Sequence, residues 1–127
     1  MEIKKWEEGQ LFEANGAHMR WVFWPGNGCN GLTLHYSILY PGESFRLHKH
    51  DYSADVISVI KGKGKLLTAD GEVDIEAGES VFANAGELHG FKNTGDEPMI
   101  TIGSQSPADL ELYRRGGFGF GKLEKDK

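Results

Sequence analysis

The stretch Gly42-Glu-Ser-Phe-Arg-Leu-His48-Lys-His50-Asp-Tyr-Ser-Ala-Asp55, closed by Gly62, sets the organisation of this chain. Two histidines stand at i and i+2, with a carboxylate five residues after the second. Side chains alternate faces along a β-strand, so His48 and His50 point the same way, one rung apart. Two imidazoles on one strand face are a chelate for a transition metal. A second stretch, Gly78-Glu-Ser-Val-Phe-Ala-Asn-Ala-Gly86-Glu-Leu-His89-Gly-Phe-Lys-Asn93, supplies a third histidine.

Outward from these two stretches, short apolar runs alternate with glycine-bearing turns, the pattern of a mostly β protein. Trp6, Leu11 and Phe12 suit one edge strand in a mixed-charge lead-in. His18 to Trp24 is apolar on both faces, with Val22 and Trp24 on one and Trp21 and Phe23 on the other. Such a strand needs cover on both sides, from a second sheet or a subunit. Leu32 to Tyr40 alternates as a half-buried strand does: Leu32, Leu34, Tyr36, Ile38 and Tyr40 against Thr33, His35, Ser37 and Leu39. Further strands are expected over residues 44–50, 55–60, 65–68, 72–76, 80–83, 89–92 and 99–103. Strand parity puts Arg46 on the face of His48 and His50, Ile57 and Val59 on that of Asp55, and Phe91 on that of His89. Val73 and Ile75 are expected to face in. Pro41-Gly42-Glu43 and Ala77-Gly78-Glu79 repeat one turn chemistry, a weak internal repeat. One short C-terminal helix is expected from Ser106 as cap to Gly116 as stop, with Pro107 in its first turn, Asp109 and Glu111 near its start and Arg114 and Arg115 near its end. The charged tail from Lys122 is expected to fray.

The length of 127 residues fits one domain, 1–127, with N-terminal strands over 1–31, a barrel over about 32–103 and the helix and tail over 106–127. No apolar run approaches the ~18–20 residues of a spanning helix, so no membrane is implied. Nothing apolar follows the N-terminal lysines, so no secretory signal is read and a cytoplasmic location is expected. The formal charge is −5, and the bases are scattered apart from Lys61, Lys63 and Lys65 on one hairpin and Arg114-Arg115, so no nucleic acid is expected as partner. Cys29 is the only cysteine, which rules out an intrachain disulfide, and no histidine stands near it at ligand spacing.

Taken together, the two histidine stretches resemble the cupin superfamily. Its first motif runs glycine, five residues, His-x-His, three or four residues, glutamate, six residues, glycine; here Gly42, His48, His50, Asp55 and Gly62 fill it. Its second runs through a glycine, a proline, a glycine, a histidine and an asparagine; here Gly78, Asn84 in the proline place, Gly86, His89 and Asn93. The resemblance covers residues 42–93 and implies an all-β fold, a single six-stranded jelly-roll barrel, often assembled as a homodimer. Trp6, Trp21, Phe23 and Trp24 agree with a dimer, being more aromatic surface than one small barrel covers. The resemblance also implies one divalent transition metal held by His48, His50, Asp55 and His89. Asp55 departs from the family's glutamate and is shorter by one methylene, about 1.5 Å of reach. A metal–oxygen bond closes at roughly 2.0–2.2 Å. Asp55 therefore ligates if the strand lies closer, or binds through a water and leaves a three-histidine site.

His18 and His35 read as structural, with His35 at most touching the site from behind. Imidazole and carboxylate suit Fe, Mn, Ni, Co, Cu or Zn about equally. Four protein ligands out of six leave two positions for a bidentate substrate, or for substrate and dioxygen. Arg46, Ile57, Val59 and Phe91 are the expected pocket walls, and the Arg46 guanidinium suits either a substrate carboxylate or a neighbouring acid. His35 or Asp55 off the metal are the candidate bases. Two functions follow. One is a metalloenzyme, a dioxygenase, isomerase or lyase/decarboxylase, acting on a small oxygenated, carboxylate-bearing metabolite. The other is a non-catalytic cupin that binds a sugar or metabolite.

Overall fold

The computed structural model describes residues 1–110. Ten strands form two sheets: β1 (Gln10–Ala14), β2 (Ala17–Phe23), β3 (Leu34–Leu39), β4 (Ser44–His48), β5 (Ala54–Lys61), β6 (Lys63–Thr68), β7 (Gly71–Glu76), β8 (Ser80–Ala83), β9 (His89–Lys92) and β10 (Met99–Ser106). The larger sheet runs β1-β2-β3-β10-β5-β8 and the smaller β4-β9-β6-β7. All pairs are antiparallel, so hairpin turns suffice to connect many of them. The ten strands of this all-β fold correspond to the ten apolar runs read from the sequence, where the resemblance implied a six-stranded barrel.

One turn chemistry recurs three times, once more than the two repeats seen above. At Gly42, Gly78 and Gly86 the backbone takes a positive φ, which a side chain would strain. The glutamate after each glycine turns back: Glu43 accepts from the Tyr40 N–H (2.8 Å), Glu79 from Glu76 (2.9 Å) and Glu87 from Asn84 (3.0 Å). The third turn is tied to the first histidine stretch, because the Gly86 N–H donates to the His50 carbonyl (2.7 Å). It therefore sets His89 near His50.

The core has two parts. Phe12, Trp21 and Trp24 pack edge to face, with ring centroids 5.2–5.5 Å apart. Leu39, Met99, Ile75, Val59, Phe45 and Phe91 continue it between the sheets. Trp21 and Trp24 are thus covered within the chain, and the aromatic surplus expected to need a second subunit is largely taken up internally. Trp6 stays part exposed, stacked on Tyr36 at 5.2 Å.

β3 shows which set of its alternation turns in, and two expectations, for Val73 and Ser106, are corrected. On β3 the inward face is Thr33, His35, Ser37 and Leu39, while Leu32 and Tyr40 are exposed. The polar face turns in because it lines a cavity. On β7 only Ile75 is buried; Val73 lies exposed on a sheet-edge strand. Ser106 does not cap a helix. It ends β10, paired with Ala54, and its hydroxyl donates to the Gly31 carbonyl (3.0 Å). The expected C-terminal helix is therefore not found to begin there, and its residues 111–116 lie outside the described residues.

Asn93, the last residue of the second stretch, is 1% exposed. Its Nδ2 donates to the carbonyls of Leu39 (2.8 Å) and Glu97 (2.7 Å), and its Oδ1 accepts from Gly95 (2.9 Å). Asn93→Ala would leave the buried Leu39 carbonyl without this donor, a loss of about 1–3 kcal/mol. Thermal denaturation is expected to show a clearly lower midpoint for the variant, with the histidine cluster still able to assemble.

Candidate metal centre

The smaller sheet sets His48, at the end of β4, opposite His89, at the start of β9, and His50, two residues past β4, joins them. One ring nitrogen from each lies within 4.8 Å of the others. His50 and His89 are each 4% exposed, whereas His48 sits nearer the mouth. In every one of the three, Nδ1 is already committed. His48 Nδ1 donates to the Arg46 carbonyl (2.5 Å), His89 Nδ1 to the Glu87 carbonyl (2.9 Å), and His50 Nδ1 to Asp109 Oδ2 (2.7 Å). A proton on Nδ1 leaves the Nε2 lone pair as the acceptor of each ring. Among the described residues, His89 Nε2 is buried with no hydrogen-bond partner. Buried polar atoms without partners are rare in folded proteins, and this one faces two further imidazoles. Three neutral imidazole nitrogens with one orphaned buried lone pair are a donor set that fits a divalent transition metal.

The protonation chemistry agrees. Burial pushes the His48 imidazole down to about 4, with His89 and His50 adding to the effect and the Arg46 carbonyl partly offsetting it. Burial likewise lowers His89, helped by His50. Both rings are neutral at pH 7, the form that ligates.

Asp55 stands behind the histidines and outside their cluster. Its Oδ1 accepts from His35 Nε2 (2.9 Å) and its Oδ2 from Gln105 Nε2 (3.4 Å). Oδ2 lies 3.7 Å from His50 Nε2 and 4.0 Å from His89 Nε2. Burial alone would raise this carboxyl, but His35, then His50 and His89, outweigh it and hold Asp55 below the usual carboxylate range. The carboxylate is thus held by His35 and Gln105 while Oδ2 stays turned toward His50 and His89.

The cavity walls are Met19, Trp21, Phe45, Ile57 and Phe91, with Asn15, Ser37, Thr101 and Gln105 as polar groups. Ser37 and Thr101 share a short hydroxyl–hydroxyl bond (2.5 Å) on its wall. Of the expected wall residues, Ile57 and Phe91 line it; Val59 lies deeper in the core, and Arg46 is exposed. Arg46 is displaced by a bulge. Phe45 pairs with Phe91 and His48 with His89, so β4 advances three residues while β9 advances two. The extra residue inverts the parity, turning Phe45 inward and Arg46 outward. Among the described residues that line the cavity there is no lysine or arginine. Gln105 and Asp109 were not foreseen, because Ser106-Pro107 reads as a helix start and hides the last rungs of β10. The alternation Thr101, Gly103, Gln105 was the available signal.

A Cupin domain model matches residues 35–103, more than half of the chain. The chain belongs to the cupin family. Over 61 residues it is 36% identical to an oxalate-binding protein of Thermotoga maritima, 48% of this chain and 50% of that protein. Over 80 residues it is 32% identical to the tetracenomycin polyketide synthase protein TcmJ of Streptomyces glaucescens, 63% of this chain and 54% of that one. The cupin chain thus spans about half the length of these curated relatives. Among solved structures it resembles a predicted oxalate decarboxylase from Thermotoga maritima (TM-score 0.74, 22% identity, 84% of this chain and 100% of that one). It also resembles the polyketide cyclase RemF from Streptomyces resistomycificus (TM-score 0.73, 18% identity, 91% and 93%). At these identities the structural likenesses speak for the fold.

The lowered histidines make the metal-free protein acid-sensitive. Folding releases protons from His48 and His89, so the unfolded chain binds more of them below its own value near ~6.5. Stability is then full above pH ~6.5 and falls as the pH drops toward His48's folded value of about 4. Asp55, held low, extends the loss further down. The His48 contribution, discounted for its partial exposure, is on the order of 2 kcal/mol. Urea midpoints of chelator-treated protein, measured between pH 7 and pH 4, should decline over that window.

Proposed function

We propose that this cupin holds one divalent transition metal on His48, His50 and His89 and acts on a small oxygenated metabolite in the cavity beside it. The observation that carries this reading is the buried, partnerless Nε2 of His89 facing two other imidazoles. When bound, such an ion polarises a carbonyl or enol oxygen and stabilises the charge that develops on it. The chain's own groups supply the rest. Asp55, ionised and fixed by His35 and Gln105, presents Oδ2 as a proton acceptor. A carboxylate held low is a weak base, so it suits a proton already made acidic by an adjacent polarised oxygen. Phe45, Phe91, Trp21, Met19 and Ile57 exclude water and favour a carbon frame, while Ser37, Thr101 and Asn15 orient its oxygens.

With no lysine or arginine among the described residues of the cavity wall, a substrate carboxylate would look to the metal to meet its charge. A neutral or singly charged keto or enol compound fits better than a polyanion. Isomerase, lyase/decarboxylase and dioxygenase chemistry all remain within this reading. The second reading, capture without turnover, draws support from the oxalate-binding relative. A cytoplasmic location belongs to both. So does a homodimer, supported by the exposed Val56, Ile60 and Phe82 on the outer face of the larger sheet. Light scattering on the eluting protein is expected to give twice the chain mass, and Phe82→Asp to give one.

Elemental analysis of protein purified without chelator or nickel resin is expected to give close to one transition metal per chain. Excess metal at ~100-fold over the dissociation constant should add about 2.7 kcal/mol of stability, and His48→Ala should abolish that gain. Metal occupancy unchanged in His48→Ala would overturn the assignment. Asp55→Asn separates the two roles of the carboxylate: metal retained with turnover lost marks a base, whereas metal lost marks a ligand. Substrate depletion against simple binding, followed on a panel of diketones, catechols and keto acids with and without oxygen, distinguishes enzyme from binding module.

A further inference from the structure

The three imidazoles are not held alike. His48 and His89 give their Nδ1 protons to backbone carbonyls two residues before them, Arg46 and Glu87, which any side chain at those positions would provide. His50 alone is held by a side chain, and from far away in the sequence: Asp109 Oδ2, at 2.7 Å. Asp109 lies on the segment that leaves β10, beyond the residues matched by the Cupin domain model.

We propose that Asp109 is the positioning residue of this centre, fixing the His50 tautomer that leaves Nε2 to face the cluster, so that the docked position of residues 107–110 and metal affinity are linked. The proposal rests on the three-histidine reading above. Its geometry is a continuous chain of hydrogen bonds. The Asp109 N–H donates to Gln105 Oε1 (2.5 Å), Gln105 Nε2 donates to Asp55 Oδ2 (3.4 Å), and Asp55 Oδ1 accepts from His35 (2.9 Å). Gln105, 3% exposed, thus ties the Asp109 backbone to the Asp55 carboxylate. The Asp109 side chain is 12% exposed and His50's is 4%, so the pair is shielded from competing water. A carboxylate accepts a ring N–H more strongly than a carbonyl does, and partners of this kind orient metal-binding histidines and strengthen them as donors. Because coupling is reciprocal, metal should in turn hold residues 107–110 against the barrel.

The test uses cobalt(II) as the probe on the full chain, with Asp109→Asn and Asp109→Glu. Competition titration gives the dissociation constant, and side-chain nitrogen NMR of the metal-free protein gives the His50 tautomer. The wild-type chain is expected to show His50 protonated on Nδ1, and its 107–110 amides should exchange more slowly with cobalt bound. D109N should bind cobalt ~10–100-fold more weakly. It should also shift His50 toward the Nε2–H tautomer. D109E should recover part of the affinity. Cobalt binding by D109N equal to wild type overturns the proposal while leaving the three-histidine reading intact. A wild-type His50 protonated on Nε2 overturns it without any variant, should D109N fail to fold. Wild-type protein that takes up no cobalt overturns the metal reading, and this proposal with it.

Discussion

Three imidazoles facing one another inside a barrel, each with its Nδ1 proton already given away, form the constraint on which this structure turns. Protonating any of them sets a charge beside two other rings in a poorly solvated place, which is why burial and mutual repulsion lower His48 and His89. Left neutral, they present lone pairs with too few donors, and His89 Nε2 has none. A site of this kind costs stability when empty and regains it only when an electrophile is shared. The fold has to hold the rings in place regardless, and it does so with rigid pieces. Two of the three sit on paired strands, directly across from each other as His48 and His89. The third, His50, is reached by the Gly86 amide of the loop that precedes His89.

The same constraint explains why the barrel is partly inside out. Thr33, His35, Ser37, Thr101 and Gln105 are all buried, though strands commonly turn such residues to water. Each is matched: Ser37 with Thr101, His35 with Asp55, the Thr33 hydroxyl with the Gln105 backbone N–H, and the Gln105 side chain with Asp55 and the Asp109 backbone N–H. Apolar packing is displaced to the aromatic trio of Phe12, Trp21 and Trp24 and to the residues around Leu39 and Met99. Cavity and core thus divide the interior between them, and the hydrogen-bonded wall keeps the cavity from collapsing.

Much of this was legible in the sequence where local rules apply. Period-2 alternation and the Gly-Glu turns located the strands, with β8 and β9 matching residue for residue. The spacing of His48, His50 and His89 marked the cluster, and Asp55 and Ile57 faced it as parity required. What failed did so for non-local reasons. Parity cannot register a bulge, so Arg46 was placed in the cavity although the extra residue between Phe45 and His48 turns it out. Apolarity cannot tell a core face from an outer one when the interior is a polar cavity, so the alternation of β3 alone does not say which of its faces turns in. Ser106-Pro107 carries helix-start chemistry, yet Ser106 pairs with Ala54, and long-range pairing overrode the local signal. Asp109 lies 59 positions from His50, a separation no local pattern spans.

The carboxylates complete the argument. In the family pattern the acidic residue after His-x-His is a glutamate; here Asp55 is one methylene shorter, accepts from His35 and Gln105, and keeps Oδ2 3.7 Å from His50 Nε2 and 4.0 Å from His89 Nε2. Asp109, the other carboxylate at the site, also accepts from a ring. Both acids therefore serve as hydrogen-bond acceptors for histidines, and on the reading proposed above neither is required as a ligand. On that reading, an ion held by three neutral nitrogens would keep its full positive charge and leave more room for a ligand than one that also bound a carboxylate. The two carboxylates still lie close by, so the local charge is balanced without being placed on the metal. That combination, a strongly polarising ion with a restrained base at its side, favours drawing a proton from a bound keto or enol compound over gripping an already charged one.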